Sequence, residues 1–162
     1  MTTVGLAGGG VAVEAIRAAL ADTEAKPAAI DIDAVGRSDI AVLVTEVEAT
    51  ALQRAAERAR ETDTPLVSVE LGGIGGQPVD GVDAAVSGYE PGTACPDCLR
   101  GRIEASDPET DDGHCEASTA RFAGAVAGRE LAGLVSGQES TILGGVIELP
   151  YAQRRVLPIP YC

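Results

Sequence analysis

Tryptophan is absent, and phenylalanine and tyrosine supply only one and three residues. Aromatics make up 2% of the chain against 45% hydrophobic residues, so a core has to be built from Ala, Val, Ile and Leu. Lys26 is the only lysine and His114 the only histidine. Ser-His-Asp or Cys-His catalysis would therefore rest on His114 alone, which sits in an acidic stretch. Lys+Arg number 12 against Asp+Glu 25, a formal net charge of -13. With no basic stripe and no aromatic stacking platform, nucleic-acid binding is excluded. No apolar run is long enough to span a bilayer, and the N-terminus has no secretory pattern. These absences point to a cytoplasmic protein. The acidic, lysine-poor, Ala/Gly/Val-rich composition fits a high-salt cytosol, where self-repulsion is screened, and so a halophilic source.

What is present is a cysteine pattern. Cys95-Pro96-Asp97-Cys98 is a Cys-x-x-Cys pair, and the chain ends on Cys162. In a reducing compartment, clustered cysteines read as metal ligands. A proline between the thiols favours a tight turn that aims both sulfurs at one point, as half of a tetrahedral zinc site requires. Cys95, Cys98 and Cys162 are thus the candidate ligands. Two alternatives stay open. One is a disulfide or redox pair, which would need the motif to open a helix after a strand. The other is unrelated thiols.

The rest reads as one α/β domain of about the usual size, residues 1–162, with the cysteine loop and C-terminal strands as an appendage. Residues 2–10 form a strand running into glycines. Residues 11–21 form a helix on Val13, Ile16, Ala19 and Leu20. The glycines at 5, 8 and 10 approximate a dinucleotide fingerprint with Ala7 in place of the middle glycine. A tight turn with no ligand is the plainer reading. Residues 28–35 are expected as a second strand, with Asp31 and Asp33 as solvated acids. Residues 39–44 are a strand buried on both faces. Residues 47–60 form a helix with the stripe Ala51, Leu52, Ala55, Ala56 and Ala59, and 65–71 a strand. Residues 82–86 are a strand, 89–98 the metal loop, and 106–113 an acidic loop. A helix from about 116 to 135 presents Phe122, Val126, Leu131 and Leu134. Two last strands, 144–149 and 155–159, flank a turn at 150–153. The fold class is an open, mostly parallel Rossmann-like sheet with helices on both faces.

Three passages together resemble the ThiF-like, ubiquitin-activating-type fold. They are Val4-Gly5-Leu6-Ala7-Gly8-Gly9-Gly10, the stretch 65–102 with Gly-Thr-Ala-Cys-Pro-Asp-Cys-Leu-Arg-Gly, and the ending Leu157-Pro158-Ile159-Pro160-Tyr161-Cys162. The branch most similar accompanies the YcaO domain in azoline- and azole-forming peptide cyclodehydratases. The resemblance implies a structural zinc that links the C-terminal strands to the cysteine loop. It also implies a leader-peptide-docking or scaffold role, and ATP handled by a separate YcaO domain or protein. The chain has no room for that domain, so it is not expected to be an enzyme by itself. Family zinc sets hold two cysteine pairs. Cys162 matches the first member of the second pair, and the chain stops there. The fourth ligand is left between Cys115, His114, water, another chain and a residue beyond Cys162. Adenylating members carry basic residues over the ATP phosphates. Here only Arg17, Lys26 and Arg37 follow the glycine loop, which argues against the alternative of a nucleotide-binding adenylyltransferase or Rossmann oxidoreductase. Whether a homodimer forms is not legible in the sequence.

Overall fold

The computed structural model describes residues 1–150 and 156–159. Seven strands form one sheet in the order β2-β1-β3-β4-β5-β6-β7. They are β1 (Thr2–Ala7), β2 (Ala25–Ala29), β3 (Ile40–Glu46), β4 (Leu66–Leu71), β5 (Ala84–Tyr89), β6 (Gly145–Leu149) and β7 (Val156–Pro158). The ladders from β2 to β4 are parallel. Those from β4 to β7 are antiparallel. Since β6 is antiparallel to β5, which is antiparallel to β4, five of the seven strands run one way.

The helices are α1 (Val11–Leu20), α2 (Ala49–Glu61), α3 (Pro96–Ala105) and α4 (Ala117–Val135). They cover both faces of the sheet, as the apolar runs demand. Side-chain alternation sends Ile40, Val42 and Val44 into a core under α1 and α4. It sends Ala41 and Leu43 into a second core with Leu52, Ala55 and Ala59 of α2 and Leu99 of α3. The expected α2 stripe is borne out, its Leu52 fully buried.

Five local expectations are corrected. The second strand ends at Ala29, and a short 3-10 turn over Ile32–Arg37 replaces its second half. Asp31 takes the extended conformation at the head of that turn, whose first bond runs from the Ala34 N–H to the Asp31 carbonyl. β2 is an edge strand, where Pro27 costs no ladder bond. The strand expected over 82–86 starts later, at Ala84, and is antiparallel. Phe122, expected in the apolar stripe of α4, is 53% exposed. Val126 and Leu131 are buried as expected, and the rest of the stripe turned inward is made of small residues, Ala120, Ala123, Gly124, Ala127 and Gly128. A Cβ on Gly124 would stand 2.2 Å from the Ala12 carbonyl oxygen, so α1 and α4 touch backbone to backbone and a large ring has no place between them. Ala19 is likewise exposed, and Ala12 takes the buried position on α1.

The fifth correction concerns the cysteines. Residues 89–98 do not form one loop. β5 runs to Tyr89, and α3 begins at Pro96 with Cys95 as its N-cap. Proline belongs at the first helical position, where its missing N–H is no loss and its φ is preset. Pro96 starts a helix rather than closing a turn. No helix among the described residues is long and apolar enough to cross a membrane.

Candidate functional site

Two places could carry chemistry, one at each end of the sheet. The first is the crevice where the strand order reverses between β1 and β3, the usual ligand position of an open α/β sheet. Gly8, Gly9 and Gly10 carry β1 into α1. Gly8 has φ +114 and lies so close to β3 that a Cβ would be 2.1 Å from the Val44 carbonyl oxygen. Gly10 caps α1 with no side-chain hydrogen bond, so the first N–H groups of α1 face the crevice. The cavity beside them, ≈ 700 Å³, is walled by Gly9, Gly10, Thr45, Glu46 and Glu48. Among the described residues no Arg or Lys lines it. An adjoining hollow, sharing Glu46 and Leu71, adds Asp112, His114 and Cys115. On the other side of β1, Asp31, Asp33, Arg37 and Arg54 surround a third hollow. There Arg54 is held by both carboxylate oxygens of Asp33, so its charge is neutralised. Asp31 is exposed, as expected of a solvated acid, and Asp33 is exposed but ion-paired.

The second place is the start of α3. Cys95 Sγ and Cys98 Sγ stand 3.3 Å apart. Two thiolates on one zinc, each about 2.3 Å from it, sit about 3.8 Å from each other. The helix turn therefore brings the pair together as expected. Cys95 is a free, half-buried thiol, and Cys98 is disulfide-bonded. The motif does open a helix after a strand, the context that the redox alternative requires. Cys162 lies outside the described residues, as do Arg154 and Arg155. Ile159 packs in the same core as Leu99 and Cys98, and Arg102 donates to the Pro158 carbonyl, so β7 borders α3.

Neither chain-internal candidate for a fourth ligand joins the pair. Cys115 packs against the α1/α4 core, on the opposite face of the sheet from Cys98. Burial, then the nearby Asp83 charge, push its thiol pKa up, which disfavours thiolate chemistry. His114 is an exposed loop residue whose Nε2 is 3.5 Å from Glu116. Among the described residues no three His, Cys, Asp or Glu side chains are grouped to hold a metal.

Sequence reading missed what lies beneath α3. Ser68, Glu70, Ser87 and Tyr89 form a polar row on the sheet, all buried. Ser68 and Ser87 are register partners across β4 and β5. Glu70 accepts hydrogen bonds from the backbone N–H groups of Gly75 (2.9 Å) and Gly76 (2.6 Å). Burial lifts its carboxyl pKa above the ordinary range, against the pull of those N–H groups and the Arg100 charge. Burial, then the Glu70 charge, push the Tyr89 phenol up as well. The Ser68 and Ser87 hydroxyls lie close enough to the Tyr89 phenol to pull it the other way, but none of the three makes a hydrogen bond of full geometry among the described residues. The only sequence signal was Ser-x-Glu inside an otherwise apolar strand. Beside Tyr89, a cleft of ≈ 220 Å³ runs between α2 and the turn before α3, lined by Ala56, Ala59, Ala94 and Cys95. It is below the roughly 300 Å³ of a small-molecule site and is sized for a side chain.

No protein-family model matches the sequence, and no curated protein matches it. Solved structures do match the fold. A heterocyclase in complex with substrate and cofactor superposes with TM-score 0.71 at 20% identity, over 99% of this chain and 24% of that one. E. coli MccB with succinimide gives 0.69 at 12% identity, over 99% and 64%. E. coli MccB with ATP gives 0.66 at 13%, over 99% and 64%. The chain thus spans about a quarter of the heterocyclase and under two thirds of MccB. The ThiF-like fold suggested by the sequence is borne out over nearly the whole chain.

Proposed function

We propose that this chain is a zinc-stabilised, non-catalytic scaffold domain of a YcaO-type peptide cyclodehydratase. It docks the substrate leader peptide, and the ATP-dependent ring closure to azoline or azole belongs to a YcaO domain or protein. The likeness to a heterocyclase solved with substrate and cofactor, and to MccB solved with MccA, supports a peptide-modifying setting. Cys95 and Cys98 are the first two zinc ligands in the reduced protein, and Cys162 is the third. A structural zinc supplies folding energy there by tying the C-terminal strand to α3.

One observation carries the non-catalytic part. The crevice at the strand reversal is lined by Glu46 and Glu48 and, among the described residues, by no Arg or Lys. A triphosphate there would meet like charge in place of the cationic clamp that phosphoryl and adenylyl transfer need. The competing reading, a nucleotide-binding adenylyltransferase, is favoured by the open glycine turn and uncapped N-terminus of α1.

The test has two arms on protein purified with reductant and without added zinc. Elemental analysis is expected to give about one zinc per chain, lost in Cys95→Ser/Cys98→Ser. Calorimetric titration with Mg-ATP is expected to show no heat of binding. Metal-free protein with an intact disulfide would overturn the zinc. Saturable Mg-ATP binding that Gly8→Ala abolishes would overturn the non-catalytic reading.

A further inference from the structure

The cysteine pair is held from below by groups that no sulfur chemistry explains. Glu70 rises from β4, is fully buried, and spends both carboxylate oxygens on the N–H groups of Gly75 and Gly76. A buried carboxylate is expensive unless it is bonded and balanced by charge. The balance comes from Arg100, two residues past Cys98. Its Nε donates to the Gly75 carbonyl at 3.3 Å, and its charge acts on Glu70. Arg100 also reaches back to Asp97, one residue before Cys98, at 3.6 Å. Gly75 is seated on α3: a Cβ there would meet Ile103 at 2.8 Å and Leu99 and Arg100 at 3.5 Å. Glu70, the 75–76 turn and Arg100 thus make one continuous connection from the centre of the sheet to the helix turn carrying both sulfurs.

We infer that Glu70 and Arg100 are positioning residues for Cys95 and Cys98, fixing the first two turns of α3 whether the sulfurs hold zinc or a disulfide. An N-cap thiol has little local support of its own, because Cys95 makes no side-chain cap bond. Without the connection, the start of α3 would open locally while the rest of the sheet stayed folded.

Cys115, on the opposite face, serves as the internal reference. Native full-length protein is treated with iodoacetamide, and alkylation of Cys95 and Cys115 is followed by peptide mass spectrometry. In Glu70→Gln and in Arg100→Met the Cys95 rate is expected to rise about tenfold relative to Cys115. General destabilisation would raise both rates together. An unchanged Cys95-to-Cys115 ratio in Arg100→Met, whose side chain is partly exposed and whose loss the fold survives more easily, would overturn the inference even if Glu70→Gln failed to fold.

Discussion

The two halves of the sheet solve the same packing problem differently. In the parallel half, at β1 and β3 ahead of the shared strand β4, strand faces are apolar and closeness comes from missing side chains, as at Gly8 against Val44. Polar groups are kept at the C-terminal strand ends, in an open crevice. In the antiparallel half, polar groups lie inside, under α3, where Ser68, Glu70, Ser87 and Tyr89 are buried in a row. The first half has the usual form of a ligand crevice without the charges for phosphate. The second has few of the marks of a ligand site but spends stability on polar groups beside two cysteines. Strain and buried polarity of this kind collect where structure serves something besides folding.

The largest effect should come from Glu70→Ala. It leaves two backbone N–H groups without acceptors and Arg100 without its countercharge, a loss of about 3 kcal/mol in urea unfolding. The pH profile sharpens the point. Because the folded carboxyl is lifted above its unfolded value, the stability linked to protonated Glu70 is fully present below about pH 4.5 and is lost as pH rises through the lifted value. Glu70→Gln should remove that slope. Next comes Gly8→Ala in the parallel half. The methyl collides with the Val44 carbonyl and the residue keeps a positive φ, costing about 2 kcal/mol by the same measurement. Ser87→Ala should be smaller still, between neutral and about 1 kcal/mol more stable, because the buried hydroxyl it removes makes no hydrogen bond of full geometry among the described residues and only approaches the Tyr89 phenol. A clear loss of stability there would show that the row is better satisfied than its geometry implies. Smallest of all, Asp33→Asn breaks a half-exposed pair with Arg54 and should shift unfolding by less than about 0.5 kcal/mol, fading in salt.

Sequence reading succeeded where one face dictates one pattern. The apolar run of β3, the stripe of α2 and the strand-glycine-helix opening were legible because burial leaves a period in the chain. The 89–98 passage was not, because Pro96 carries the same fixed φ into a turn or a helix start, and only the packing of Leu99 on the second core decides. Phe122 misled for a related reason: helical spacing placed it with Val126 and Leu131, which are buried, but the close approach of Gly124 to the Ala12 backbone leaves no room for a ring at that end. The polar row was invisible, since Ser68 and Ser87 become neighbours only through the β4–β5 register. The cysteine pair was legible as a meeting of sulfurs, and its helix was not.

The glycine turn at 72–76 leaves a mark of another kind. A methyl added at Gly72 would fall 1.8 Å from the Gly113 carbonyl oxygen, at Gly73 2.2 Å from that of Gln77, and at Gly76 2.6 Å from the Ala49 Cα. Each obstacle is main chain, which has no rotamer to yield. At Gly9 and Gly101 the same methyl meets nothing within 4 Å. In a library of random variants selected for folding, this turn would be a short silent interval, nearly empty of accepted changes. Mutational scanning would then map the contact between sheet, acidic loop and cysteine helix without reference to what the protein binds.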